Sequence, residues 1–424
     1  MKTGSAKQAA ELLRPVDTLA VPLGPGLPLA FLDALGERDD WRELTVFAAL
    51  LTHPHKLFTR PGVRLLSGFF GPIERALRKA GHDVRFVPGD FRRFARIAQQ
   101  LAPRVMATSA APTGEGGRVS LSLHAGATVA ELHRCGADPE RLLIAEVSPH
   151  YPHTHGLPPQ HMHALEPSEI DLLITSDRAP RELPDPLPDP VVDAIAEHAI
   201  RLIPDAATLQ TGIGAIPSQV VAKLAAGSGG DYGIHSEMFT TGFMHLHRAG
   251  KVSNRRKGIF EGFSVATFAM GTRELYDWLD GRSDVRFLPV EVVNDPTTIG
   301  RNQRMISVNG ALEIDLQGQV VADTIHGVQY SGIGGHEDFV AGAGLGEDDR
   351  SLLCLPATTQ IGDRLVSRIT RQLSAGAVVT TPRHQVDAVV TEYGIAELAG
   401  CSTEDRATRL AAIAHPDFRK ELLR

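Results

Sequence analysis

Two tandem α/β domains with mostly parallel sheets are what this sequence predicts. Three observations predict them. Short β-branched runs alternate with longer helical patterns, as successive βα units do. A proline-rich stretch interrupts the pattern near the middle. The chain has 424 residues, 42% of them hydrophobic, more than one core normally holds.

The alternation is plain in the first half. RELTVFAAL, DVRFVPG and RLLIAEVSP read as strands, and GPIERALRKAGH and GATVAELHRCGADP as helices that run out at glycine-containing ends. Near residues 178–191 the composition changes to DRAPRELPDPLPDP, whose five prolines exclude a regular helix or a central strand. This stretch reads as an interdomain linker, giving domains 1–184 and 185–424. Beyond it VVDAIAEHAIRLIP restores helical spacing, with Val192, Ile195, Ala199 and Leu202 on one stripe. The halves echo one another. DTLAVPLGPGLPLAFLDAL and ATLQTGIGAIPSQVVAKL both run strand, Gly-x-Gly turn, helix, a pattern that either an internal duplication or a common local motif produces.

Charge and cysteine content exclude several functions. A formal charge of −7, from 43 basic and 50 acidic side chains, argues against coating nucleic acid. Three widely spaced cysteines, Cys135, Cys354 and Cys401, fit neither a disulfide framework nor a zinc knuckle and suit a reducing compartment. No apolar run approaches the roughly 20 residues of a membrane span. The start, MKTGSAKQAAELLRPVD, lacks a signal-peptide core and reads as a short amphipathic helix with Ala9, Leu12 and Leu13 clustered. A cytoplasmic protein without membrane contact is expected.

Several stretches are candidates for chemistry. In TGIGAIPSQVV, Gly212 and Gly214 allow a tight turn and close ligand approach, and Pro217 suits a helix start whose free N–H groups attract an anion. It is neither a Walker loop nor a complete dinucleotide fingerprint. In YSGIGGHEDFVAGAGLG, glycines 332, 334 and 335 end a strand and open a helix, and exposed N–H groups there suit a developing oxyanion. Glu337 and Asp338 complement that helix's dipole. GIHSEMFTTGF places Glu237 between an apolar run and a turn, as a solvated residue, a helix-start charge or a nucleophile. Glu291, in PVEVVNDP, is its rival. VVTEYGIAEL ends a strand at Glu392, for which Arg368 and Arg383 are candidate partners. The histidines of PHYPHTHGLPPQHMHAL lack metal-ligand spacing and read as a polar, proline-rich loop. NRRKG, 254–258, reads as a basic solvated loop or a phosphate contact.

Taken in order, these stretches resemble the acetyl-CoA hydrolase/transferase family, most closely its 4-hydroxybutyrate (butyrate) CoA-transferase branch. LIPDAATLQTGIGAIPSQV, GIHSEMFTTG, ATFAMGTRELYDWL, NDPTTIGRNQRMISVNGALEIDLQGQV, YSGIGGHEDFVAGA, VVTEYGIAEL and AIAHPDFRKEL cover nearly all of 190–424. IAEVSPHYPHTHG and SEIDLLI match more loosely in the first half. The resemblance implies CoA-transferase-type α/β domains and a ping-pong transfer of CoA between a short-chain acyl-CoA and a small carboxylate. It implies Glu237 as the nucleophile that becomes a glutamyl-CoA thioester. It also implies Gly212, Ile213, Gly214, Ala215 and Ile216 as a CoA-contacting turn, and Gly334 and Gly335 as the CoA and oxyanion loop. Coenzyme A is then a substrate, with no metal and no redox cofactor required, and a homo-oligomer is expected. The resemblance places Gln360 at the CoA site too, although the family's pattern has Lys there, Arg where Ala341 stands and His where Asp387 stands. The first two departures remove positive charge near the expected CoA site, so a catalytically silent CoA-binding protein stands as one alternative; a hydrolase, formed if water reaches the glutamyl thioester, stands as another.

Overall fold

The structure, a computed structural model, describes residues 1–424, the side chain of Glu115 excepted. Contacts gather the chain into two compact units. The first is Met1–Leu183 with Val265–Val293, and the second is Pro184–Ser264 with Asn294–Arg424. The first crossing, between Leu183 and Pro184, falls inside the proline-rich stretch. No helix is long and apolar enough to cross a membrane among the described residues.

The first unit is built on an eight-stranded sheet. Its strands are β1 (Lys2–Gly4), β2 (Val16–Ala20), β3 (Glu43–Ala48), β4 (Val63–Ser67), β5 (Val84–Phe86), β6 (Val105–Ala110), β7 (Leu142–Val147) and β8 (Leu172–Thr175). They lie in the order β1-β8-β7-β6-β2-β3-β4-β5, and every neighbouring pair is parallel. A central parallel strand is covered on both faces, which is why β6 is buried at every residue and reads as a continuous run. The strands and helices read from the sequence are present, among them Pro72–Lys79 and Val129–Gly136. The N-terminal helix Ala6–Glu11 starts on a Ser5–Gln8 capping box and buries Ala9 and Ala10. Leu13 joins that core, but Leu12 points outward, so the apolar cluster is Ala9, Ala10 and Leu13.

The second unit carries β9 (Thr208–Thr211), β10 (Gly233–Ile234), β11 (Met305–Gly310), β12 (Arg350–Cys354), β13 (Ala388–Thr391) and β14 (Gly394–Glu397). The order is β10-β9-β11-β12-β13-β14, parallel except for the closing β13–β14 hairpin. The helix after the linker is Pro190–Ala199, capped by the Asp189 carboxylate at 2.8 Å from the Val191 N–H. The chain leaves β9 to one side for β10 and to the other for β11. Open α/β sheets bind ligands outside the carboxyl ends of strands at such a reversal.

The strand–glycine turn–helix arrangement recurs in both units, with different outcomes. In the first, Gly24, Pro25 and Gly26 are buried, and the helix Leu29–Glu37 has its free N–H groups taken internally. The buried Glu146 carboxylate accepts from Ala30 and Phe31, both at 3.0 Å. In the second, the helix Ala215–Ala226 starts at Gly214 with no side-chain cap, and Ile213 and Gly214 are exposed. An internal carboxylate caps the first helix start, whereas the second has no side-chain cap.

Candidate active site

Glu237 sits three residues beyond β10, at the carboxyl end of the second unit's sheet, and retains a small exposed face. His235 donates its N–H to the Leu209 carbonyl at 3.1 Å, continuing the pairing with β9. Ser236 Oγ then donates to the Thr211 carbonyl at 3.2 Å. Since Gly212 follows Thr211, this bond ties the approach to Glu237 to the Gly212–Ile216 turn. Gly214 has a φ of +123°, a conformation that favours glycine, and a side chain at Gly212 would meet no atom within 4 Å.

Asn294 holds the Glu237 carboxylate, its Nδ2 donating to Oε2 at 2.8 Å, and the Gly335 backbone packs directly against the same oxygen. The same Asn294 amide donates to Asp338 Oδ2 at 3.0 Å, so one NH₂ group bridges two carboxylates. Asn294 is fixed because Asp295 caps the short helix Pro296–Ile299 immediately after it, its carboxylate accepting from Thr297 at 2.7 Å. Burial pushes the Glu237 carboxyl up to about 8, and the Asp338 charge adds to the rise, while Asn294 and the Gly335 backbone oppose it. The side chain's exposed edge does not relieve this, because the carboxyl itself is packed among Gly335, Asn294 and their neighbours.

The glycine loop is anchored from behind. The Asp323 carbonyl accepts the Tyr330 and Ser331 N–H groups at 2.9 and 3.0 Å. His336 Nε2 meets Thr381 Oγ1 at 2.8 Å as the helix His336–Gly342 begins. Gly334 and Gly335 are glycine for different reasons. Gly334 has a φ of +56°, whereas Gly335 has an ordinary φ of −93°. At Gly335 a Cβ would lie 2.1 Å from Glu237 Oε2 and 2.3 Å from Asn294 Nδ2.

Of the residues picked from the sequence, Glu237 and Gly335 are in contact, and the Gly212–Ile216 turn joins them through the Ser236–Thr211 bond. Gln360 lies on the exposed hairpin Thr358–Ile361/Arg364–Ser367, with its amide donating to Gly362 at 3.0 Å. Glu291 belongs to the first unit and is exposed on the single turn Val290–Val293. Glu392 accepts the Ala357 N–H at 2.9 Å with Arg368 as its nearby charge, while Arg383 pairs with Gln317 instead. Asp387 holds the Ser351 N–H at 3.0 Å. The histidines of the proline-rich loop go separate ways: His163 stacks on Phe287, and His150 meets Asp177 at 2.9 Å. Asn294 and Asp338 were not singled out for this site. Asn294 lay in view within NDP, but nothing local marks a lone Asn in a turn as a partner for a carboxylate 57 residues away.

The chain has known relatives. The family described as acetyl-CoA hydrolase/transferase C-terminal domain matches residues 271–424. The succinyl-CoA:cyclohexane-1-carboxylate CoA transferase of Geobacter metallireducens is 34% identical over 430 residues, covering 99% of this chain and 94% of that relative. The chain belongs to the acetyl-CoA hydrolase/transferase family. It is an enzyme of the CoA-transferase class, in company with several curated relatives. The 4-hydroxybutyrate coenzyme A transferase of Clostridium kluyveri is 42% identical over 287 residues, 68% of this chain and 65% of that enzyme. Among solved structures, RipA from Yersinia pestis superposes with a TM-score of 0.92 at 31% identity, covering 100% of this CoA-transferase and 96% of the RipA chain.

Proposed function

We propose that this enzyme moves CoA between a short-chain acyl-CoA and a small carboxylate through a covalent intermediate on Glu237. The observation that carries the reading is a carboxylate at the carboxyl end of the sheet, held by Asn294 Nδ2 and packed against the Gly335 backbone. A Glu237 oxygen attacks the thioester carbonyl, the C–S bond breaks, and CoA thiolate leaves an acyl-glutamyl anhydride. The thiolate then attacks the glutamyl carbonyl and releases the first carboxylate, leaving a glutamyl-CoA thioester. An incoming carboxylate reverses both steps and departs as the new acyl-CoA, with no net proton change.

Each passage through the glutamyl carbonyl places negative charge on the oxygen that Asn294 holds and Gly335 packs against in the resting enzyme. A donor fixed in advance stabilises that charge without reorganising. The open helix start at Gly214–Ile216 offers backbone N–H groups to CoA phosphate, and binding of the long CoA tail supplies energy for positioning the reacting end. Gln360 supplies no charge to this contact.

Mass spectrometry tests the proposal. After incubation with acetyl-CoA and rapid quenching, CoA is expected on the peptide containing Glu237. Its absence, with exchange activity intact, would overturn the reading. The pH profile provides a second test. With a carboxyl at about 8, about a tenth of the free enzyme carries the nucleophilic form at pH 7. The kcat/KM for acyl-CoA is therefore expected to rise almost tenfold per unit below pH 7.5 and to level off above about 8.5. A flat profile from pH 6 to 9 would contradict a nucleophile with this titration.

A further inference from the structure

Lys257 is fully buried, with 0% of its surface exposed, although it lies in the basic run NRRKG. Its neighbours Arg255 and Arg256 are exposed. The Lys257 Nζ donates to the Ile234 carbonyl at 2.7 Å and to the Phe263 carbonyl at 2.8 Å. Its stem crosses β10 so closely that a Cβ on Gly233 would lie 2.5 Å from Lys257 Cγ. Burial drives its amine well below the usual lysine range. A buried amine of this kind is costly, so its placement calls for a reason.

Topology supplies one. β10 is the edge strand, and its Gly233 and His235 N–H groups face β9. The Ile234 N–H and C=O therefore face outward, where no further strand pairs with them. Side chains from the loop 254–263 take that strand's place. Asn254 Oδ1 accepts the Ile234 N–H at 2.9 Å, and Lys257 takes the carbonyl. Phe260 stacks on His235, with ring centroids 6.2 Å apart and planes 16° apart. Asn254 and Phe260 both have positive φ, +55° and +52°, which non-glycine residues adopt at a cost and keep where their surroundings fix them. Glu237 follows His235 by two residues.

We propose that Lys257 is a positioning residue for Glu237: with Asn254 it clamps the outer edge of β10 and so sets where the nucleophilic carboxylate lies between Gly335 and Asn294. This rests on the reading of Glu237 as nucleophile. Lys257→Met keeps most of the side chain's volume and removes both hydrogen bonds.

In the full-length enzyme, supplied with acetyl-CoA and butyrate, Lys257→Met is expected to lower kcat by about 10²-fold, the scale of a misplacement near 1 Å. Single-turnover formation of the CoA adduct should fall in parallel. The KM for acetyl-CoA and the Kd for CoA should stay within about threefold, since misplacement affects the reacting geometry more than tail binding. If Lys257→Met gives no cooperative melt, Asn254→Ser removes the other half of the clamp and carries the same expectation. Wild-type adduct formation in the folded variant would overturn the clamp, as would equal losses in kcat and CoA affinity. The wild-type enzyme, run alongside, separates the two readings. If it forms no adduct, both fall; if it charges normally and the variants charge equally fast, only the clamp falls.

Discussion

Glu237→Ala is expected to abolish acyl exchange, lowering it at least about 10⁴-fold, while leaving CoA affinity within about threefold. The alanine removes the only atoms that Asn294 and Gly335 address at this position, so neither the anhydride nor the thioester can form. Glu237→Asp retains a carboxylate but withdraws it by one methylene from Asn294 and Gly335, and only a trace of activity should survive. Glu237→Gln keeps the shape and accepts the Asn294 hydrogen bond without the charge, and it should be as inactive as alanine. The measurement is transfer of CoA from acetyl-CoA to butyrate, followed chromatographically, with CoA affinity measured by calorimetry. Full exchange in the alanine variant would end the assignment.

Glu237→Gln also reads out the cost of the site. A carboxyl raised to about 8 binds its proton more tightly in the folded chain than in the unfolded one. Its contribution is therefore most favourable below the unfolded value near 4.5 and is lost as pH rises through about 8. Removing the charge should make the glutamine variant more stable than wild type at pH 9, by something on the order of a few kcal/mol, with the gap closing towards pH 5. Paired thermal melts across that range check the sign.

The path from sequence to this site was legible in some places and closed in others, for physical reasons. Helix and strand identity rest on local periodicity, so β3, β7 and the helix Pro190–Ala199 could be read directly. Gly212, Gly214 and Gly335 announced themselves because backbone approach demands glycine. Glu237 stood out as a carboxylate at the end of an apolar run. Asp338 does occupy the first turn of a helix, where an acidic side chain complements the dipole, but its full burial against Asn294 had no local signal. Lys257 was misread: in NRRKG it looks like one more solvated cation, and the unpaired outer edge of β10 turns it inward. In both cases a partner distant in sequence decides the burial.

Gly335→Ala separates the need for space from the need for backbone freedom. At a φ of −93° alanine suits the backbone, so folding supplies no objection. The objection is steric: the new methyl would sit 2.1 Å from Glu237 Oε2, 2.3 Å from Asn294 Nδ2 and 3.1 Å from Glu237 Cδ. The nearest two of these atoms are ends of side chains, which move more readily than backbone. The variant should therefore fold with a melting temperature within a few degrees of wild type while its carboxylate and amide are pushed out of register. Displacing the nucleophile from Asn294 and Gly335 is expected to lower kcat by about 10²–10³-fold. Gly334→Ala makes the contrast, because a φ of +56° costs an alanine roughly 1–2 kcal/mol of stability. It should melt lower than Gly335→Ala and retain more activity per folded molecule. A Gly335→Ala enzyme with wild-type kcat would mean that the carboxylate can leave its place between Gly335 and Asn294 without consequence. Those two residues would then have no part in the transfer.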